Sequence, residues 1–200
     1  MEGNDSDDEQ CTTGGNKRAD STTTTDETEP NEAALGNEVA LGKLLTDREE
    51  TLAVAESLTG GLVGSRVTDV PGASAYFDRG FVTYAYDAKR ELLGVSRESL
   101  DSEGAVSAPV VAEMAAGARD RADTTWAVAT TGIAGPKGGT ETKPVGLVYV
   151  GVAYAAPWGT EESFVETERV VLDGDRTTVK RGAVDTALDV LVETIRDGKQ

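Results

Sequence analysis

"TLAVAESLTGGLVGSR", residues 51–66, compresses a strand, a turn and the start of a helix into sixteen positions. The run at 51–55 is short and apolar, as a strand buried on both faces is, and residues 60–67 read as a helix that begins at or near Thr59. A strand that feeds a helix through a glycine-rich turn is the repeating unit of α/β sheets, and ligands of such sheets bind beyond the carboxyl ends of strands. Ser57 stands in that turn. From this stretch alone three roles are open to it: capping the helix, holding an anion, or attacking a carbonyl.

Outward from this unit, the pattern keeps alternating. Before it, Ala33, Ala34, Val39, Leu41, Leu44 and Leu45 fall near helical spacing and predict a first helix. After it, "DVPGAS" (69–74) is a loop, and "GFVTYAY" (80–86) has the aromatic and β-branched content of a second strand. Asp87 then caps a helix that Gly94 ends, and Pro109 opens another, with Val110, Val111, Met114, Ala115 and Ala118 on one face. "WAVATTGI" (126–133) reads as a buried strand running into "GIAGPKGGTETKPVG", and residues 147–155 and 161–172 as neighbouring strands joined through "APWG". A last helix spans about 175–195. The expected fold is a three-layer α/β sandwich, a mixed and mostly buried sheet with helices on both faces.

Residues 1–31 hold one methionine and no Leu, Ile, Val or aromatic residue, too little apolar surface to offset the entropy of ordering. Residues 1–35 are therefore expected to be a disordered acidic leader, and 36–200 a single domain. Of the formal charge of −17, residues 1–38 contribute −9 and the remainder −8. A surface acidic throughout repels phosphate backbones, so no nucleic-acid partner is expected, and it suits a protein working in concentrated salt. No apolar run approaches the roughly 20 residues of a membrane span, and the acidic N-terminus is unlike a secretory signal; no membrane association and a cytoplasmic location are expected.

Histidine is absent, which removes the Ser-His-Asp triad, the Cys-His pair and histidine-ligated zinc. The single cysteine, Cys11, lies in the leader, so neither an internal disulfide nor a thiolate metal site is expected. No cofactor is expected, and any hydrolysis must use another base.

Three strand-to-loop junctions carry unusual residues. At the first, a helix starting around Thr59, Gly60 and Gly61 offers unpaired N–H groups to a phosphate or an oxyanion. There is no G-x-S-x-G elbow and no S-x-x-K. At the second, Lys89 falls in the first turn of the helix capped by Asp87. It is either an exposed lysine paired with an acid such as Glu91, or a cation set against the helix dipole, its pKa lowered until the amine can take a proton from serine. Tyr84 is either a core aromatic or a hydrogen-bonding relay beside it. At the third, Gly132, Gly135, Gly138, Gly139 and Gly146 follow a buried strand, as a plain connector or as a loop that approaches a ligand by its backbone; the register does not fit a P-loop.

Together, "AESLTGGLVGSRVTDVPGASAYFDRGFVTYAYDAK", "LLGV" with "GAVS", and "TGIAGPKGGTETKPVG" resemble the CinA C-terminal family, over about residues 36–196. The resemblance is to its stand-alone form, the PncC-type nicotinamide-nucleotide amidohydrolases. It implies deamidation of nicotinamide mononucleotide to nicotinate mononucleotide and ammonia, in pyridine nucleotide recycling, by a serine with a lysine base and no metal. Carried over by motif, the nucleophile is Ser57, the base Lys89 and the supporting tyrosine Tyr84; Glu56, Thr59, Gly60, Gly61, Thr131, Gly132, Gly135, Gly138, Gly139 and Gly146 surround a small nucleotide substrate. Two departures stand out: Leu58 where many members have cysteine, and Ala85-Tyr86 where Ser-Asn is usual, so that any contact of that asparagine is lost or replaced. One glycine loop would build the oxyanion hole and the other grip phosphate, with Arg66, Arg79 or Lys143 as candidate basic partners. A non-catalytic nucleotide-binding or regulatory module of the same family is the alternative, and a homo-oligomer fits either.

Overall fold

The computed structural model describes residues 36–198. The expected leader, and the start of the first predicted helix, lie outside the described residues. The chain runs α1 (Asn37–Asp47), β1 (Leu52–Glu56), α2 (Leu62–Thr68), a short 3-10 turn, β2 (Phe77–Val82), α3 (Tyr86–Leu93), α4 (Arg97–Glu103), α5 (Ala108–Ala122), β3 (Trp126–Gly132), β4 (Leu147–Tyr154), β5 (Phe164–Val171) and α6 (Arg176–Asp197). The sheet order is β2-β1-β3-β4-β5. β1 pairs parallel with both β2 and β3, while β4 and β5 add antiparallel, making the sheet mixed.

Side-chain size sorts the two faces. Leu52, Val54, Trp126, Val128, Val148, Val150 and Val152 point one way, into a core closed by Leu41 and Leu45 of α1, Val63 and Val67 of α2, and the apolar stripe of α6. The alternating positions Ala53, Ala55, Ala127, Ala129 and Ala153 point the other way, against α3, α4 and α5. Each fully buried Leu or Val contributes about 1.5–3 kcal/mol. Small residues on the second face let α5 lie close: at Gly151 a β-carbon would come 2.7 Å from the Val111 carbonyl oxygen.

Two boundaries differ from expectation. The second strand covers Phe77–Val82 instead of 80–86, because it pairs with β1 from Leu52↔Phe77 to Glu56↔Val82 and ends where β1 ends. Its apolar-looking tail, Thr83 to Tyr86, is freed to build the site described below. α4, which no apolar periodicity announces, is capped by Ser96, whose hydroxyl accepts the Ser99 N–H at 3.0 Å. β1, β2 and β3 are parallel, so their carboxyl ends emerge together along one edge, where sheets of this kind place their ligands.

Candidate active site

Ser57 is the first residue past β1. Its N–H donates to the Thr130 carbonyl at 3.0 Å, extending the β1–β3 ladder by one step. Glu56 fixes the turn from the other side. Its carboxylate, 1% exposed, accepts the backbone N–H groups of Gly61 (2.8 Å), Val63 (3.1 Å) and Gly64 (2.9 Å). An internal carboxylate thus occupies the start of α2, answering both the orphan N–H groups and the helix dipole.

This corrects the expectation that the helix end receives substrate. Neither Ser57 nor Thr59 caps α2. Gly61 holds the N-cap position without a side-chain bond, and the Thr59 hydroxyl is buried against that of Thr130 at 2.8 Å. Glu56 is engaged internally, as is the Gly61 N–H, and Gly60 lies 3.7 Å, measured from its would-be β-carbon, from Lys180 Nζ. The N–H of Leu58, directly after the serine, has no acceptor among the described residues.

Lys89 reaches the serine from α3. Its Nζ lies 2.9 Å from Ser57 Oγ and donates to the carbonyls of Thr83 (2.6 Å) and Tyr84 (3.4 Å). The side chain has no exposed surface, and burial pushes its pKa down from the ordinary 10.5 to about 8. The expected lowering is present with a different cause, desolvation. Asp87 is not the helix cap either: α3 begins at Tyr86, with extended Ala85 before it, and Lys89 is its fourth residue.

The Ser57–Lys89 pair opens on a cavity of about 300 Å³ that also takes in Leu58, Tyr84, Tyr86, Ala105, the segment from Thr131 to Gly135, Lys137, Gly138 and Arg176. Arg176, the first residue of α6, donates to the Gly135 carbonyl at 2.8 Å and to the Tyr84 hydroxyl at 3.1 Å. The Tyr84 hydroxyl therefore belongs to Arg176; only its carbonyl faces the lysine, and the relay expected of it has no hydrogen bond to run through. Lys89, Lys137 and Arg176 line the cavity, and no carboxylate among the described residues does. In a chain of net charge −17 that is a local reversal of sign. A larger hollow, about 910 Å³ between β5 and α6, is lined instead by Glu162, Glu166, Glu168, Glu193 and Asp197, a field that repels phosphate.

Of the glycine-loop residues, Thr131, Gly132, Gly135 and Gly138 border the cavity, whereas Gly139 and Gly146 do not. Gly146 serves packing: its φ is +90°, and a β-carbon there would fall 2.0 Å from the Leu172 carbonyl oxygen. None of the three basic candidates reaches the cavity. Arg66 pairs with Glu38 and Asp185, each at 3.5 Å, Arg79 with its neighbour Asp78, and Lys143 donates to the Glu103 carbonyl. Arg176 escaped sequence reasoning because it lies 92 positions from Tyr84. The available signal was its place directly after Asp175, whose carboxylate caps α6 by accepting the Thr178 N–H.

Fold and cavity define an α/β sandwich with a serine–lysine pair at the carboxyl end of its parallel strands. The chain belongs to the CinA C-terminal domain family, whose model matches residues 36–195. A CinA-like protein of Chlorobaculum tepidum is 49% identical over 154 residues, 77% of this chain and 36% of that one. One from a Cyanothece species is 57% identical over 121 residues, 60% and 28% of the two chains. This chain thus spans about a third of the length of the curated relatives it matches. Among solved structures, the competence damage-inducible protein A of Klebsiella pneumoniae superposes with a TM-score of 0.75 at 33% identity, covering 82% of this chain and 97% of that one. A competence/damage inducible protein of Agrobacterium tumefaciens gives 0.72 at 38%, covering 84% and 97%.

Proposed function

We propose that the chain is a nicotinamide mononucleotide deamidase, hydrolysing the carboxamide to a carboxylate and ammonia through Ser57 and Lys89. The observation that carries this reading is the buried amine 2.9 Å from the serine hydroxyl. A pKa near 8 leaves roughly a tenth of it uncharged at pH 7, enough to act as a base, and near-neutral bases are the effective ones. Lys89 takes the Ser57 proton as Oγ attacks the carboxamide carbon. It returns that proton to the departing nitrogen, and ammonia leaves an acyl-serine. Water then attacks the acyl carbon, giving one proton to Lys89 that passes back to Ser57 Oγ as the ester bond breaks; the product leaves as the carboxylic acid and ionises, its remaining proton going to solvent or ammonia.

Within this scheme the unengaged N–H of Leu58, the cavity-lining residue directly after the nucleophile, serves as the oxyanion donor. Losing one such donor typically costs about 3–4 kcal/mol of barrier. Arg176 holds the phosphate with Lys137. Two of its donors are spent on Gly135 and Tyr84, and a guanidinium has five.

The test is incubation of the purified chain with nicotinamide mononucleotide, measuring ammonia and nicotinate mononucleotide together. Equal amounts of the two support the reading. Saturable binding of the nucleotide without either product favours a non-catalytic binding module of the same family.

A further inference from the structure

Two tyrosines border the cavity, and they are held differently. Tyr84 carries the Arg176 guanidinium on its hydroxyl. Tyr86 turns toward the loop between α4 and α5. Its hydroxyl accepts the Ala105 N–H at 3.3 Å, and the Ala105 carbonyl accepts the Thr131 hydroxyl at 2.7 Å, so the ring is tied back to the end of β3. Half of Tyr86 remains exposed, at 50%, and ring-to-ring contacts among the described residues are confined to Trp126, Tyr154 and Phe164. Tyr86 therefore offers the cavity an aromatic surface already fixed in place and without an aromatic partner. An aromatic surface of that kind loses little entropy when a ligand settles on it.

Charge says what kind of ligand face it suits. The cavity wall holds three cations and no carboxylate, which favours a phosphate and disfavours a positively charged ring. The quadrupole of an aromatic face supplies negative potential without a formal charge. We propose that Tyr86 is a specificity-determining residue that stacks on the substrate's heteroaromatic ring and selects its cationic pyridinium form over the reduced, uncharged dihydropyridine form. This rests on the function proposed above, in which the carboxamide presented to Ser57 is carried by a pyridinium.

The experiment measures dissociation constants by titration calorimetry in a Ser57→Ala background, which removes turnover, alone and combined with Tyr86→Phe or Tyr86→Leu. The ligands are nicotinamide mononucleotide and its reduced form. Tyr86→Leu is expected to weaken the oxidised nucleotide about tenfold and the reduced one less than about twofold, while Tyr86→Phe, which keeps the ring and loses only its tie to Ala105, weakens the oxidised one no more than about threefold. Tyr86 is half-exposed on the first turn of α3, so the leucine variant keeps its fold, and unchanged thermal unfolding checks this. Equal weakening of both nucleotides, or of neither, overturns the inference. Ammonia release by the otherwise unchanged chain is read separately. If it occurs while binding is indifferent to Tyr86 or absent, this inference alone fails; if binding shows the preference without ammonia release, the deamidase reading alone fails; if neither nucleotide binds and no ammonia is released, both fail.

Discussion

Replacing Lys89 by methionine should make the protein more stable while abolishing the proposed deamidation. A lysine pKa lowered from 10.5 to about 8 corresponds to a penalty on the order of 3 kcal/mol for holding the buried ammonium at neutral pH. Methionine fills similar space without charge, but it leaves the buried Thr83 carbonyl without its 2.6 Å donor, at a cost of about 1 kcal/mol, while the Ser57 hydroxyl and the Tyr84 carbonyl, both at the cavity, turn to water for the bonds they lose. The net gain at pH 7 is about 2 kcal/mol, or roughly 4–8 °C in Tm for a domain of this size. Its sign depends on pH. Below pH 8 the lysine is protonated in both folded and unfolded chains, and the penalty is present in full. Between 8 and 10.5 the folded chain releases the proton while the unfolded chain keeps it, so the unchanged protein gains stability and the advantage of methionine disappears. Thermal unfolding of both proteins by circular dichroism at pH 7 and pH 10.5, at matched ionic strength, reads this directly. A variant less stable at pH 7, or a Tm difference identical at the two pH values, would refute the reasoning.

Under the proposed mechanism the same amine would set the pH dependence of the reaction: kcat/KM should climb about tenfold per pH unit below 8 and level off above it, and a profile flat from pH 6 to 9 would exclude Lys89 as the base. Arg176→Ala should raise KM for nicotinamide mononucleotide by more than about tenfold with kcat nearly unchanged, and leave the phosphate-free riboside unaffected; steady-state kinetics on both substrates decides. Glu56→Gln exchanges one of two acceptor oxygens for an amide that cannot accept, at a turn where three N–H groups converge. Urea unfolding should show a loss of at least about 2 kcal/mol, and no loss would mean that the carboxylate does not hold the turn.

Much of the fold is legible in the sequence because local periodicity and tertiary burial agree. Residues 51–55 and 126–133 are apolar since both of their faces are covered, and the glycine at 94 ends its helix at φ +73°. The second strand is misplaced by the same reasoning because aromatic content marks two things alike. Tyr84 and Tyr86 resemble strand residues and instead border the cavity, while the exposed edge strand that precedes them reads as polar. In the site, Ser57 and Lys89 are visible from motif and from the absence of histidine. The engagement of Glu56 with the helix N-terminus and the approach of Arg176 from α6 are not, since both depend on where the sheet brings distant segments. The cause of the lysine's lowered pKa was likewise hidden: a first-turn position is written in the sequence, and complete burial is not.

The account rests on Ser57 and Lys89 acting as one unit, and ammonia release from nicotinamide mononucleotide by Ser57→Ala and Lys89→Ala, each beside the unchanged chain, tests it most directly. Both variants should fall by at least about a thousandfold while remaining folded. Release from either at close to the original rate would contradict it.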